Sequence, residues 1–326
     1  MTQRATPIDP IARPLTLTPE ASLNRLPVSV GGSDARPARH WVSAQALHSL
    51  LLHENPDDDR SVRGFLQSFD PTRPGDARIL AKYSERLASV LTTALSADHW
   101  LAGSPFQQGY AQLWRSCETV VLGGGLTSGE FGQALAKQLE IRLKTISLLV
   151  SPWGGQTGMV GLAQHLRSAN DLVVMDFGAT GIKRGIARYH GNKVQSLPEL
   201  TVDHWLDDDG LFRANAFRQV LNDTRTLVDR SLPVAISLAC YLNEGHPFDY
   251  RSGVYHRLFE DCDHLATELN EHWLPEAGFD SLALLEHDST AAALAFRFPH
   301  TAIMVTLGTG LGVGLCPVQT ESDGGE

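Results

Sequence analysis

Several familiar signatures are missing from this 326-residue sequence, and each absence excludes something. Cysteine is scarce: Cys117, Cys240, Cys262 and Cys316 lie far apart, with no CxxC pair. A thiolate zinc cluster and a disulfide framework are therefore not expected, and the pattern fits a reducing cytoplasm. There is no dense basic run, and the formal net charge is −10. Nucleic acids and anionic membranes both need clustered Lys and Arg, so neither is an expected partner. The opening segment, MTQRATPIDPIARPLTLTPEA, lacks the apolar h-region of a secretory signal. No stretch reaches the roughly 18 apolar residues of a membrane span. Solenoid-type repeats and low-complexity tracts are also missing.

What is present is ordinary in bulk and specific in pattern. The hydrophobic content of 42% suits a globular chain with a sizeable core. The length suggests roughly two domains of about 150 residues each. Residues 1–40 read as a mostly irregular arm, and the polar, turn-rich stretch 54–77 as a surface loop. Ile79, Leu80, Tyr83, Leu87, Val90, Leu91 and Leu95 recur at helical spacing, which predicts a helix over 77–97. A strand over 119–122 runs into three glycines, and Ser128 is placed to cap a helix burying Phe131, Leu135 and Leu139. A strand at 145–150, a small-residue helix at 157–168 and a three-strand meander beginning at Leu172 follow. A helix at about 211–230 and strands at 233–239, 282–286 and 302–307 complete the pattern, with a helix at 288–297. The Asp207-Asp208-Asp209 run reads as exposed charge at a helix start, and Asn222-Asp223-Thr224 as a helix face or end.

Four segments could carry chemistry. MDFGATGIKRG (175–185) is an apolar strand ending in Asp176, then a turn with Gly178 and Thr180. Glycines there let backbone N–H groups approach a phosphate, and a strand-end carboxylate beside phosphate suits magnesium. A plain hairpin with Asp176 capping the turn fits equally well. Lys183 adds positive charge or simply lies along the second strand. TLGTGLGVG (306–314) has the same form, with Gly308, Thr309 and Gly310 at the turn. Its glycines are too many for a sheet interior without a reason. That reason is a second phosphate turn or a tight, bulged hairpin. VVLGGGL (120–126) presents Gly123, Gly124 and Gly125 at a helix start, where backbone can meet a nucleoside. It lacks both GxGxxG spacing and a following GK[ST]. In LLEHDSTAAALA (284–295), Asp288 stands between a strand and an alanine helix. It is either an N-cap or a general base for a hydroxyl.

Taken together, DFGATGIK, LGTGLGVG, HDSTAAALA and VVLGGGL with SPWGGQTGMVGLAQHL resemble the ROK family of sugar kinases, over most of residues 77–316. That family belongs to the actin/hexokinase/Hsp70 superfamily. The resemblance implies an α/β, two-lobed, actin/hexokinase-like (ribonuclease H-like) fold. It also implies ATP and Mg²⁺ in a central cleft, Asp176 positioning the metal and Asp288 as catalytic base. Gly178, Thr180, Lys183, Gly308, Thr309 and Gly310 would hold phosphates, and Gly123–Gly125 would back the nucleoside. The family begins with the first phosphate motif and ends with the glycine triplet; here the triplet comes first, so a circular permutation is expected. The family's GExGH segment and Cys-rich zinc motif are absent. Ala179 replaces a glycine, and His287 replaces the Asn before the catalytic Asp.

The expected lobes are 1–156 plus 301–326 on the adenosine side, and 157–300 carrying the first phosphate motif and the base. The expected activity is an ATP-dependent kinase acting on a hydroxyl of a small polar molecule, such as a sugar, in a chain that could pair as a homodimer. The alternative is a non-catalytic nucleotide- or sugar-sensing relative. Asn243, Glu244 and His246, from the loop at 237–253, join His287 as candidate acceptor-binding side chains; a solvated surface loop accounts for the first three equally well.

Overall fold

The computed structural model describes residues 17–166, 170–188 and 193–319. Residues 1–16 of the arm, most of the 167–170 connector and the tail at 320–326 lie outside the described residues. The arm from residue 17 onward is not loose. It makes two short 3-10 turns, Pro19–Ala21 and Leu23–Arg25, and pairs Pro27–Val28 with Arg36–Pro37. Ala21, Leu23, Leu26 and Val28 are buried, so hydrophobic anchoring replaces the expected irregularity.

Helix α1 (Ala44–Glu54) is followed by α2 (Val62–Ser68) and α3 (Pro74–Ser96). The stretch expected as a loop thus contains a helix and the start of another. The Ser61 hydroxyl caps α2 by accepting the Gly64 N–H, and Pro74 opens α3, where a missing N–H costs nothing. Arg60, just before α2, bonds both Asp58 and the buried Asp76. Its hydrogen bonds hold the Asp58 carboxyl down at about 2. Helix α3 buries Ile79, Tyr83, Leu87, Val90 and Leu91 along one stripe, as its period requires. A capping box between Ser104 and Gln107 starts α4 (Pro105–Arg115).

The rest of the chain alternates strands and helices. These are β1 (Thr119–Gly123), α5 (Gly129–Arg142), β2 (Ser147–Val150), α6 (Thr157–Leu166), β3 (Leu172–Phe177), β4 (Gly181–Arg188) and β5 (Lys193–Thr201). They continue with α7 (Ala214–Thr226), β6 (Val234–Leu238), β7 (Leu282–His287), α8 (Asp288–Ala293), β8 (Ala302–Leu307) and β9 (Leu311–Leu315). Ser128 precedes α5 but its hydroxyl makes no cap bond. Asp207 closes a turn, accepting N–H groups from Asp209 and Leu211, so the triple-Asp run is not a helix start.

Two sheets form. One is five-stranded, ordered β7-β6-β3-β4-β5; the other is four-stranded, ordered β9-β8-β1-β2. In each, an antiparallel hairpin (β3–β4 or β8–β9) joins two parallel strands through its first member. The chain visits the hairpin first in the five-stranded sheet and last in the four-stranded one. The architecture is therefore α/β and two-lobed, of the actin/hexokinase-like kind, with the order of one lobe permuted.

The helices after the edge strands tie the lobes together. Helix α6 leaves β2 of the four-stranded sheet and packs on β3, β4, β5 and β6 of the other. Helix α8 leaves β7 and packs on β8 and β9. The two helices cross at Gly161, where a Cβ would come 1.8 Å from the Ala291 carbonyl oxygen. Glycine allows this close approach.

Candidate active site

Sheet register builds the first half of the site. Asp176, near the end of β3, is paired with Lys183 on β4 and with Ser237 on β6. Paired residues project to the same face, so three side chains converge. The Lys183 ammonium lies 3.1 Å from Asp176 Oδ2, and the Ser237 hydroxyl donates to Oδ1 at 2.8 Å. The charge of Asp176 raises the Lys183 pKa, keeping the ammonium protonated. Asp176 does not cap the turn with its carboxylate. Instead the Gly178 N–H meets the Gly181 carbonyl at 3.0 Å, and the Tyr255 hydroxyl steadies the Gly178 carbonyl at 2.8 Å. Thr180 is exposed at the turn. The start of α6 closes over this pair: a Cβ on Gly158 would sit 3.3 Å from the Asp176 carboxyl carbon, and one on Gly155 would sit 3.4 Å from Lys183 Cε.

The second turn is held differently. The Gly308 N–H bonds the Gly310 carbonyl at 3.0 Å, and the Gly308 carbonyl accepts the Ala44 N–H, at the start of α1, at 2.8 Å. The Asn24 side chain acts as a miniature strand, donating to the Leu311 carbonyl at 2.7 Å and accepting the Leu311 N–H at 2.9 Å. The space beside Gly308 is open. Gly312 and Gly314 have another purpose than phosphate. A Cβ at either would fall 1.8 Å from Ser289 Oγ or 2.1 Å from the Ser289 carbonyl oxygen, so both admit α8. In the triplet, Gly123 is the buried last residue of β1. Gly124 turns at φ +90, with its Cβ position 2.4 Å from the Leu307 carbonyl, and Gly125 faces open space.

Asp288 is the first residue of α8. Its Oδ1 accepts the Ser289 N–H at 2.6 Å and the Ser289 hydroxyl at 3.0 Å, and lies 3.2 Å from His287 Nε2. It therefore serves the helix start with one oxygen. Oδ2 has no hydrogen-bond partner among the described residues. Burial raises the Asp288 pKa, and the negative charge of Asp176 adds to the rise. His287 is buried, bonded to the Thr290 hydroxyl at 3.3 Å and stacked on Tyr241 at 4.7 Å.

One cavity of about 1430 Å³ takes in Asp176, Gly178, Thr180, Lys183, Gly124, Gly125, Gly308, Thr309, Gly310, His287 and Asp288. Gly123 backs it without lining it. Asn243, Glu244 and His246 lie outside. They form a tight hairpin, Leu242–Asn243 with His246–Pro247, turning through Glu244 at φ 50. His246 accepts the Leu265 N–H at 3.2 Å and stacks on His264. The same loop instead offers Tyr241, Tyr250, Arg251 and Ser252 to the cavity, and the arm offers Asn24 and Arg25. The aromatics flanking the hairpin were the available signal for the loop; the arm carried none. Among the described residues, no group of three or more His, Cys, Asp and Glu is arranged for a metal ion. No described helix is long and apolar enough to cross a membrane.

No protein-family model matches the sequence, and no curated protein matches it. Solved structures are similar over part of their length. A type II variant of the Ppx/GppA phosphatase from Aquifex aeolicus shares 9% identity over 54% of this chain and 55% of that one, at a TM-score of 0.30. An exopolyphosphatase from Cytophaga hutchinsonii shares 14% over 48% and 51%, at 0.25. A second Aquifex aeolicus member of the Ppx/GppA family shares 12% over 45% and 51%, at 0.23. The chain spans about half the length of the structures it matches.

Proposed function

We propose that this chain transfers the γ-phosphoryl group of ATP to a hydroxyl of a small polar acceptor, as a permuted relative of the ROK-type sugar kinases. The observation that carries the reading is the single cavity onto which both glycine turns, the Asp176–Lys183 pair and Asp288 open. Phosphoryl transfer needs positioning and charge neutralisation more than covalent help from the protein. The turns at 178–181 and 308–310 offer backbone donors from opposite lobes, and Lys183 offers a fixed positive charge. A single carboxylate beside a phosphate turn matches magnesium's habit of binding through one or two carboxylates plus phosphates and waters. Asp176 would hold it, and the ion would supply further neutralisation of phosphate charge. Asp288 Oδ2 accepts the acceptor's hydroxyl proton as the new P–O bond forms and the bond to the β-bridging oxygen of ATP breaks.

The test is phosphoryl transfer by the whole chain with Mg-ATP and a panel of sugars, beside Asp288→Asn. The Asn keeps an oxygen for Ser289 and removes the base. Transfer should fall about 10²–10⁴-fold, while Mg-ATP binding by calorimetry stays nearly intact. The pH dependence has a definite sign. The base works only when ionised, so kcat should fall with decreasing pH through a value above the usual carboxylate range. That limb should vanish in the variant. The same raised pKa means ionised Asp288 weakens the fold above the unfolded-state value and not below it, so the variant should melt no earlier than the parent at neutral pH. Unchanged turnover per folded molecule in Asp288→Asn would leave Asp288 as a helix cap alone. Binding of Mg-ATP with no turnover on any acceptor would favour the sensing alternative.

A further inference from the structure

Two arginines, Arg25 and Arg251, line the cavity, and Arg25 is linked to its Asp288 end. A ladder of rings leads there. His287, beside Asp288, stacks on Tyr241 with ring centroids 4.7 Å apart. Tyr241 meets Tyr250 edge-on at 5.9 Å, and the Arg25 guanidinium lies 4.6 Å over the Tyr250 ring. Arg251 follows Tyr250 in the chain and also lines the cavity. Neither Arg25 nor Arg251 has an ion-pair partner among the described residues. The loop's own carboxylates do not compensate: Glu244 and Asp249 are exposed and stand outside the cavity. A ring beneath Arg25 fixes the guanidinium plane by cation–π attraction while leaving its five N–H donors available. Such a guanidinium suits a planar or tetrahedral anion, which arginine grips through paired hydrogen bonds, and Arg251 lines the same cavity. A neutral polyol would offer them only uncharged hydroxyl oxygens, a weaker match than an anion.

We infer that the acceptor bears an anionic group, a carboxylate or a phosphate ester, held by Arg25 and Arg251, with its carbon skeleton against Tyr241 and Tyr250. The inference rests on the phosphotransfer reading and narrows its substrate class to acidic polyols. It also gives the N-terminal arm a role: Asn24 steadies the second turn from the same 3-10 turn that delivers Arg25.

The whole chain is assayed with Mg-ATP and glucose, glucuronate or glucose 6-phosphate, following phosphorylated product. One of the two anions should be used at least about 10-fold better than glucose; glucuronate would assign a carboxylate and glucose 6-phosphate a phosphate ester. Arg25→Ala and Arg251→Ala should each collapse that preference by about 10- to 100-fold, through KM rather than kcat, the usual weight of charge-assisted hydrogen bonds. Independently of turnover, the preferred anion should raise the melting temperature of the parent and do so less for either variant. Glucose used as well as the anions, with no effect of the arginine variants, would overturn this inference and leave the transfer reading standing. No phosphorylated product from any acceptor, together with no anion-dependent melting shift, would remove both. A melting shift that persists undiminished in both variants would place the anion elsewhere and overturn the arginine assignment.

Discussion

Behind the β3–β4 turn stand ionised side chains, Asp176 and Lys183, brought together by strand register and 3.1 Å apart. Behind the β8–β9 turn stand neutral groups: the Asn24 amide, paired twice with Leu311, and the Ala44 N–H on the Gly308 carbonyl. The backbone plan is shared, since each turn is closed by a 3.0 Å bond from its first glycine. One backbone device thus serves two purposes. Under the proposed transfer, the first turn would meet phosphate with charge, where charge develops during the reaction. The second would hold phosphate by position alone, and its geometry is borrowed from the arm and α1.

That contrast orders the expected effects of mutation. Of the two turns, the larger effect belongs to Asp176→Ala, which removes the salt-bridged carboxylate beside the first turn. Transfer should drop about 10²–10³-fold, the range for loss of one electrostatic stabiliser, with kcat carrying most of the loss. The fold should survive, because Lys183 lines a solvent-facing cleft and its side chain is part-exposed there. A loss confined to KM would mean that both turns merely position. A smaller effect is expected from Asn24→Ala, which should raise KM for ATP several-fold, leave kcat nearly unchanged and cost about 1 kcal/mol of stability in urea unfolding. A kcat loss as deep as that of Asp176→Ala would erase the distinction between the turns.

How much of this could be read from the sequence follows the same division. Asp176 and Asp288 stand where an apolar strand ends, and glycine turns interrupt continuous apolar runs; both signals are local, so strands, hairpins and the cleft residues were legible. The permutation was legible because it depends only on the order of those signals. The arm was not, because 3-10 turns of three residues show no periodicity, and Asn24 reaches a partner 287 residues away. Helix α2 was hidden because Phe65 is its one buried residue, which leaves no stripe to count. The acceptor loop misled for a different reason. Asn243, Glu244 and His246 are the polar residues a ligand would want, but Glu244 and Gly245 both take positive φ, and the hairpin folds away onto Leu265. Backbone reversal of that kind is decided by tertiary contact, and it leaves Tyr241 and Tyr250 facing the cavity. The four glycines at 308–314 were read as one motif and are two, a turn and a landing for α8.

The shared grip of the two turns is open to direct measurement by amide hydrogen exchange of the whole chain, with and without saturating Mg-ATP, resolved at residues 178–181 and 308–310. Protection should rise at both turns over the same range of Mg-ATP concentration, because one nucleotide would span them. Protection at only one turn, or at neither despite calorimetric binding, would contradict a nucleotide held between the lobes and with it the assignment of a phosphoryl-transfer cleft.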